Sequence, residues 1–304
     1  MTRKNWIGVD WGITNLRAYL MDTNGQICDQ RVSSKGMMHC GNTPFADVLD
    51  DLVSDWSGDG RPPVLMCGMI GSRQGWHETA YVPCPVDHNG LRDAIEPVPG
   101  ADGCFMVPGI SCRDDRGHWD VMRSEETQIF GLLSLLDAPA GDRVVCLPGT
   151  HTKWVSLSGS GLRHFETAMT GEIFSVLCGS SILGTLMTDR KPSDPQQPFL
   201  RGVELAGEGR GFLFDAFKVR ADGLFDHVPA DHLKDYLSGL LIGTEIGSVR
   251  DIIGNIKEID LIGPPAMVSR YVWGCEHMGY ATRVHSAENA TVKGLSILAE
   301  GLGF

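Results

Sequence analysis

The sequence predicts an α/β protein built as two domains that open alike. Three observations carry that prediction. Residues 6–21 read as an apolar run ending in Asp10, then a tight Gly12-Ile13-Thr14 turn, then a run in which Leu16, Ala18 and Leu20 alternate with Arg17, Tyr19 and Met21. A period of two is that of a strand. The same pattern returns later: residues 144–147 are apolar, Pro148-Gly149-Thr150-His151-Thr152-Lys153 is a glycine and hydroxyl turn, and strand-like runs follow at 154–157 and 162–168. This is a duplication of topology rather than of sequence. Finally, 304 residues with 42% hydrophobic content suffice for two cores of about 150 residues each.

Each element follows from local pattern. Asp22-Thr23-Asn24-Gly25 carries the Asn-Gly hairpin signal, and residues 26–32 form a third strand. Thr43-Pro44 looks like an N-cap followed by proline at the first helical position, and Phe45, Val48, Leu49, Leu52, Val53 and Trp56 then recur at helical spacing. Residues 64–67 are a buried strand running into Gly68-Met69-Ile70-Gly71-Ser72-Arg73-Gln74-Gly75-Trp76, and 104–107 are another. Ser124 is a plausible N-cap for a helix whose stripe is Ile129, Leu132, Leu133 and Leu136, with Glu125 and Glu126 in the first turn, where the dipole favours negative charge. The run 137–142 stops that helix and marks the domain boundary, giving domains 1–139 and 140–304. In the second domain, helices are expected at 172–187, 200–217, 231–249 and 266–277, with a strand at 259–262 ending in Gly263. A last helix at 287–298 packs back across the boundary.

Composition excludes several classes. A formal net charge of −12 argues against nucleic acid and anionic membranes as partners. The nine cysteines show no zinc-site spacing and read as reduced core thiols of a cytoplasmic protein. No run approaches the roughly 20 apolar residues of a membrane span. A homodimer is among the assemblies open to the chain.

The glycine turns also exclude something. The dinucleotide fingerprint and the P-loop both need a helix directly after the glycines, because the helix N-terminus holds the phosphate. Here a strand follows, so the amides of a hairpin turn must do that work.

Two domains that each open with a meander and a Gly/Thr turn resemble the sugar kinase, actin and Hsp70 superfamily, which implies two ribonuclease-H-like (actin-like ATPase) domains around a cleft, with the two turns facing each other. A closer match lies in five stretches: residues 9–17, 67–76, Tyr81-Val82-Pro83-Cys84-Pro85, Met122-Arg123-Ser124-Glu125-Glu126-Thr127-Gln128, and 147–154. In that order they resemble the 2-keto-3-deoxygalactonokinase family over the length of the chain. Ile13 stands where that family more often has Thr, and Ser124 where it more often has Gly.

The resemblance implies ATP-dependent phosphorylation of the 6-hydroxyl of 2-dehydro-3-deoxy-D-galactonate in D-galactonate catabolism. A kinase for another sugar acid, such as 2-keto-3-deoxygluconate, is the alternative of the same chemistry. A sugar-sensing regulator would carry an added DNA-binding domain, whereas this chain begins its core strand at Trp6 and is acidic. By the same resemblance Asp10 faces the Mg²⁺ of ATP, usually through water, where the residues alone would equally allow a turn-capping aspartate. Gly12, Thr14, Gly149 and Thr150 would donate to the β- and γ-phosphates. Lys153 adds a charge there or is a solvated strand residue, and His151 touches phosphate or orders the turn. Gly263 would let adenosine lie against the backbone. Glu125 is the expected general base, with Glu126 its rival, since adjacent helical positions diverge by about 100°. Glu125, one turn before Ile129, is expected on the packed side. Arg73 is expected to grip the substrate carboxylate, with Gln74 and Trp76 adding a hydrogen bond and an apolar wall.

Overall fold

The computed structural model describes residues 5–58, 60–136, 141–190, 192–208 and 210–304. The junction expected at 139/140 lies outside the described residues. The chain divides into two compact units, Met1–Gly141 with Leu157–His164 and Ser286–Phe304, and Asp142–Ser156 with Phe165–His285.

In the first unit, β1 (Trp6–Trp11), β2 (Leu16–Met21) and β3 (Ile27–Ser33) form an antiparallel meander. Helix α1 (Phe45–Val53) leads to β4 (Val64–Cys67), which pairs parallel with β1. There follow β5 (Tyr81–Pro83), β6 (Val86–Asp87), α2 (His88–Asp93), β7 (Glu96–Pro97), β8 (Cys104–Met106), β9 (Gly109–Arg113), β10 (Trp119–Met122) and α3 (Glu125–Leu135). The main sheet has the order β3-β2-β1-β4-β8-β7, and β10-β9-β5 form a separate small sheet. Ile7, Val9, Trp11, Leu16 and Ala18 are fully buried in the core. Each such aliphatic side chain contributes about 1.5 to 3 kcal/mol of burial. This is why the meander's register is fixed: a one-residue slip would turn that set to the other face.

The second unit repeats the plan with β11 (Asp142–Leu147), β12 (Thr152–Ser158) and β13 (Gly161–Ala168). Then come α4 (Thr170–Ser180), α5 (Gln196–Gly207), α6 (Phe212–Leu224), α7 (Leu233–Ser248), α8 (Arg250–Ile253), β14 (Glu258–Ile262), α9 (Pro265–His277) and β15 (Ala281–His285). Strands run in the order β15-β14-β11-β12-β13, with β11, β14 and β15 parallel. In both units the order is therefore third, second, first, fourth, fifth. The closing helix α10 (Ala287–Ala299) belongs to the first unit, where Gln128 on α3 donates to Thr291 at 3.2 Å.

Several expectations are corrected. The helix expected at 200–217 is two helices, α5 and α6, because the chain turns at Gly211, whose φ is +89°. Pro44 precedes α1 and supplies no side-chain cap. Nor does Ser124 cap α3 with its hydroxyl. Strand β15 went unread because its side chains are mostly exposed, so no apolar alternation marks it.

Candidate active site

Asp10 closes β1 and is set by the sheet register opposite Arg17 of β2. Its Oδ2 accepts from Arg17 Nη1 at 3.2 Å, so the carboxylate pairs with a charge rather than capping the turn. Burial pushes its pKa up, against the pull of Arg17. After it, the turn is pinned from one side. The carbonyls of Gly12, Ile13 and Thr14 accept from the amides of Met37, Met38 and Gly36 at 2.9 to 3.3 Å. Gly36 has to be glycine, since a Cβ there would overlap the backbone of Thr14. The amide of Gly12 is itself engaged, donating to the carbonyl of Asn15 at 2.9 Å, so Gly12 shapes the turn. What remains exposed is Ile13, Thr14 and Asn15, with Asn15 donating to the Thr14 hydroxyl at 3.1 Å.

The second turn is braced in the same manner. Gly171, at the start of α4, lies so close to the backbone of Gly149 and Thr150 that a Cβ would overlap them. Glu172 donates its amide to the Thr150 carbonyl at 3.0 Å, and its carboxylate pairs with His151 Nε2. His151 is thereby tied to the head of α4. Lys153 is not a solvated strand residue: it is buried, and its Nζ donates to the Thr167 hydroxyl at 2.8 Å. Burying this side chain costs free energy that its bond to Thr167 only partly offsets, and it places a lysine behind the turn. Gly263 packs against Pro148, because β14 lies parallel beside β11. The strand end expected to hold adenosine thus adjoins the strand that feeds the turn.

Arg73, Gln74 and Trp76 follow β4. Arg73 is 86% exposed and its Nε meets Glu78 Oε1 at 3.2 Å, an ion pair in water that leaves it free to reorient. Gln74 is exposed as well. Trp76 is held: its ring meets that of Trp11 edge-on at 6.4 Å, at the rim of the core.

At the head of α3 the two glutamates diverge, in the opposite sense to the angular expectation. Glu126 is fully buried, whereas Glu125 stays half-buried. The helix enters through Ser124 at φ +100°, a left-handed conformation that rotates the first turn relative to an ordinary N-cap. Glu126 Oε2 accepts from the Ser124 amide at 2.8 Å and its Oε1 from the Thr127 hydroxyl at 3.1 Å. Glu125 Oε2 accepts from the Arg123 amide at 3.2 Å. Burial, helped by the negative Glu125, pushes the Glu126 pKa up to about 7.

The left-handed Ser124 is also a testable strain. A non-glycine residue there costs on the order of 1 to 3 kcal/mol, partly offset by the extra unfolded-state entropy of glycine. Ser124→Gly should therefore stabilise the protein by about 1 kcal/mol in urea melts. A loss of stability would mean that the hydroxyl makes up for the strain.

Arg123, beside the two glutamates, was not singled out from sequence. It is buried, its guanidinium donates to both the hydroxyl and the carbonyl of Thr79 and stacks over Tyr81 at 4.6 Å. Its Nε has no hydrogen-bond partner among the described residues. Sequence could not show this, because Thr79 and Tyr81 are 44 and 42 positions away, and Tyr81 opens β5 of the small sheet that periodicity did not reveal.

A cavity of about 340 Å³ opens in the second unit, lined by Trp154, Thr170, Ile173, Phe212, Leu241 and Glu245 among others. Gly149, Thr150 and Gly263 do not line it, whereas Thr167, the partner of Lys153, does. Buried Glu245 accepts there from Trp154 Nε1 at 2.6 Å and from Tyr271 at 2.8 Å. Among the described residues, no group of three or more His, Cys, Asp or Glu side chains is arranged to hold a metal ion, and no helix is long and apolar enough to cross a membrane. A Mg²⁺ held by one carboxylate and substrate phosphates needs no such cage, so Asp10 fits the ion it was expected to face.

Residues 10–298 match the sequence profile of the 2-keto-3-deoxy-galactonokinase family. The chain belongs to that family. It is 32% identical over 298 residues to the 2-dehydro-3-deoxygalactonokinase of Escherichia coli strain K12, covering 98% of each chain. A Sinorhizobium meliloti crystal structure, described as a candidate 2-dehydro-3-deoxygalactonokinase, superposes with a TM-score of 0.87 at 32% identity, over 98% of this chain and 99% of that one. The activator of the 2-hydroxyisocaproyl-CoA dehydratase from Clostridium difficile shares the fold at a TM-score of 0.53 and 13% identity. Within the 2-keto-3-deoxy-galactonokinase family's span lie Asp10, both turns, the Arg73 loop, the Glu125-Glu126 pair and Gly263.

Proposed function

We propose that this chain transfers the γ-phosphoryl group of ATP to the 6-hydroxyl of 2-dehydro-3-deoxy-D-galactonate, within D-galactonate breakdown. The observation that carries the reading is family membership across residues 10–298, with both braced turns inside that span. Bound Mg²⁺ and ATP would supply the transferable phosphoryl group and the cation that offsets its charge. Asp10 would orient that cation through water. Thr14 with the exposed edge of its turn, and Gly149 and Thr150 with Lys153 behind them, would donate to phosphate oxygens. His151 fixes its turn by pairing with Glu172, and Gly263 leaves room for adenosine. Glu125 would accept the proton from the 6-hydroxyl as that oxygen attacks, being the carboxylate of the pair that a substrate can reach. Glu126, sealed beneath it, holds the loop through the Ser124 amide. Turnover by the purified protein over a panel of sugar acids tests the reading. Faster turnover of 2-keto-3-deoxygluconate would favour the neighbouring kinase instead.

For Arg73 the proposal is capture of the substrate carboxylate, with Gln74 beside it and Trp76 as the fixed wall. The side chain packs on nothing in the core, so Arg73→Ala should leave stability unchanged. Losing one charge-assisted contact should cost about 2 kcal/mol, a KM for the sugar acid raised about 30-fold with the KM for ATP little altered. An equal rise for a neutral sugar lacking the carboxylate would assign Arg73 another role.

A further inference from the structure

Helix α6 is apolar on both sides. Phe212, Ala216 and Val219 face the core of the second unit. Centred about 130° around the helix, Leu213, Phe214, Phe217 and Leu224, with Phe225 just past its end, stand 87, 71, 60, 54 and 73% exposed. The helix thus carries more apolar surface than a single core-facing stripe requires. With about 150 to 250 Å² per aromatic side chain, these five residues present on the order of 600 Å² of apolar surface, at the upper limit for a monomer and close to the roughly 800 Å² that each partner contributes to a stable interface.

The charged side chains of the same helix all make polar contacts within the unit. Lys218 pairs with Asp215 and Glu208, Arg220 donates to the Ile182 carbonyl and the Thr185 hydroxyl, and Asp222 accepts from Arg201 and Tyr236. The stripe thus offers a partner shape and no charge. Complementarity without charge is what an isologous contact supplies, since each copy brings the same apolar residues to the other. A chain of net charge −12 repels its own kind over most of its surface, so an uncharged stripe is where two copies can meet.

We propose that α6 forms a two-fold interface with a second copy of this chain, the two helices crossing with Phe217 near the axis and Leu213 of each copy packed toward Leu224 and Phe225 of the other. The inference stands on surface geometry alone and is independent of the reaction assigned above. Sedimentation velocity of the full chain over roughly 1 to 50 µM should show a species of twice the 33.1 kDa chain mass, dissociating on dilution. Phe217→Glu should leave only the monomer with an unchanged far-UV spectrum. Leu213→Lys, at the most exposed position, tests the same stripe without touching the core. Hydrogen exchange should slow over residues 212–225 as concentration rises. A wild-type monomer throughout that range overturns the proposal, whether it stays free or floats with phosphatidylcholine vesicles. So does a dimer that survives both substitutions.

Discussion

Glu125→Gln should lower kcat by about 10² to 10⁴ while ATP binding persists. The amide keeps the shape of the carboxylate and its bond from the Arg123 amide, but it cannot accept a proton from the attacking hydroxyl. Accessibility argues for Glu125 over its neighbour, since Glu126 is fully buried and both its oxygens are engaged by Ser124 and Thr127. Phosphoryl transfer depends on placement and charge as well as on the base, so a residual rate should remain. Steady-state kinetics on both single variants decides the matter. Loss of activity in Glu126→Gln with retention in Glu125→Gln would reverse the two roles.

Glu126→Gln should make stability less dependent on pH. The Glu126 carboxyl ionises near 4.5 when unfolded and is pushed up to about 7 in the folded chain, by burial first and by Glu125 second. Below about 4.5 both states hold the proton. Between there and 7 only the folded state does, so stability falls as pH rises, by about 3 kcal/mol in all through this one group. The buried Cys67 thiol at the end of β4 feels the charges of both Asp10 and Glu126, and on Glu126 itself Arg123 exerts a weaker opposing pull. The glutamine does not titrate. Its stability relative to wild type, from urea melts at a series of pH values, should rise across that window and level off above it. A gap that stays constant from pH 4.5 to 8 would mean that the buried carboxyl ionises normally.

Much of the framework was legible because it is written in local pattern. An apolar run set β1 and alternation set β2, and the return of strand, Gly/Thr turn and strand at residue 144 announced the second unit, whose sheet repeats the order of the first. The nine cysteines read as thiols are free, and six of them are buried. Ser124 was visible as a departure from the family's glycine, yet only its φ of +100° shows why glycine suits the position.

What the sequence determined by itself is therefore which residues form the opening strands and Gly/Thr turn of each unit, and the family to which the chain belongs; periodicity and motif are properties of neighbours along the chain. Tertiary structure alone decided which glutamate is sealed in, that Arg73 is in water while Arg123 is buried on Thr79 and Tyr81, that Lys153 is interior, and that Gly36 and Gly171 press against the two turns. Burial and hydrogen bonding between segments 14 to 44 positions apart leave no periodic trace, because they depend on how elements meet and not on what each element is.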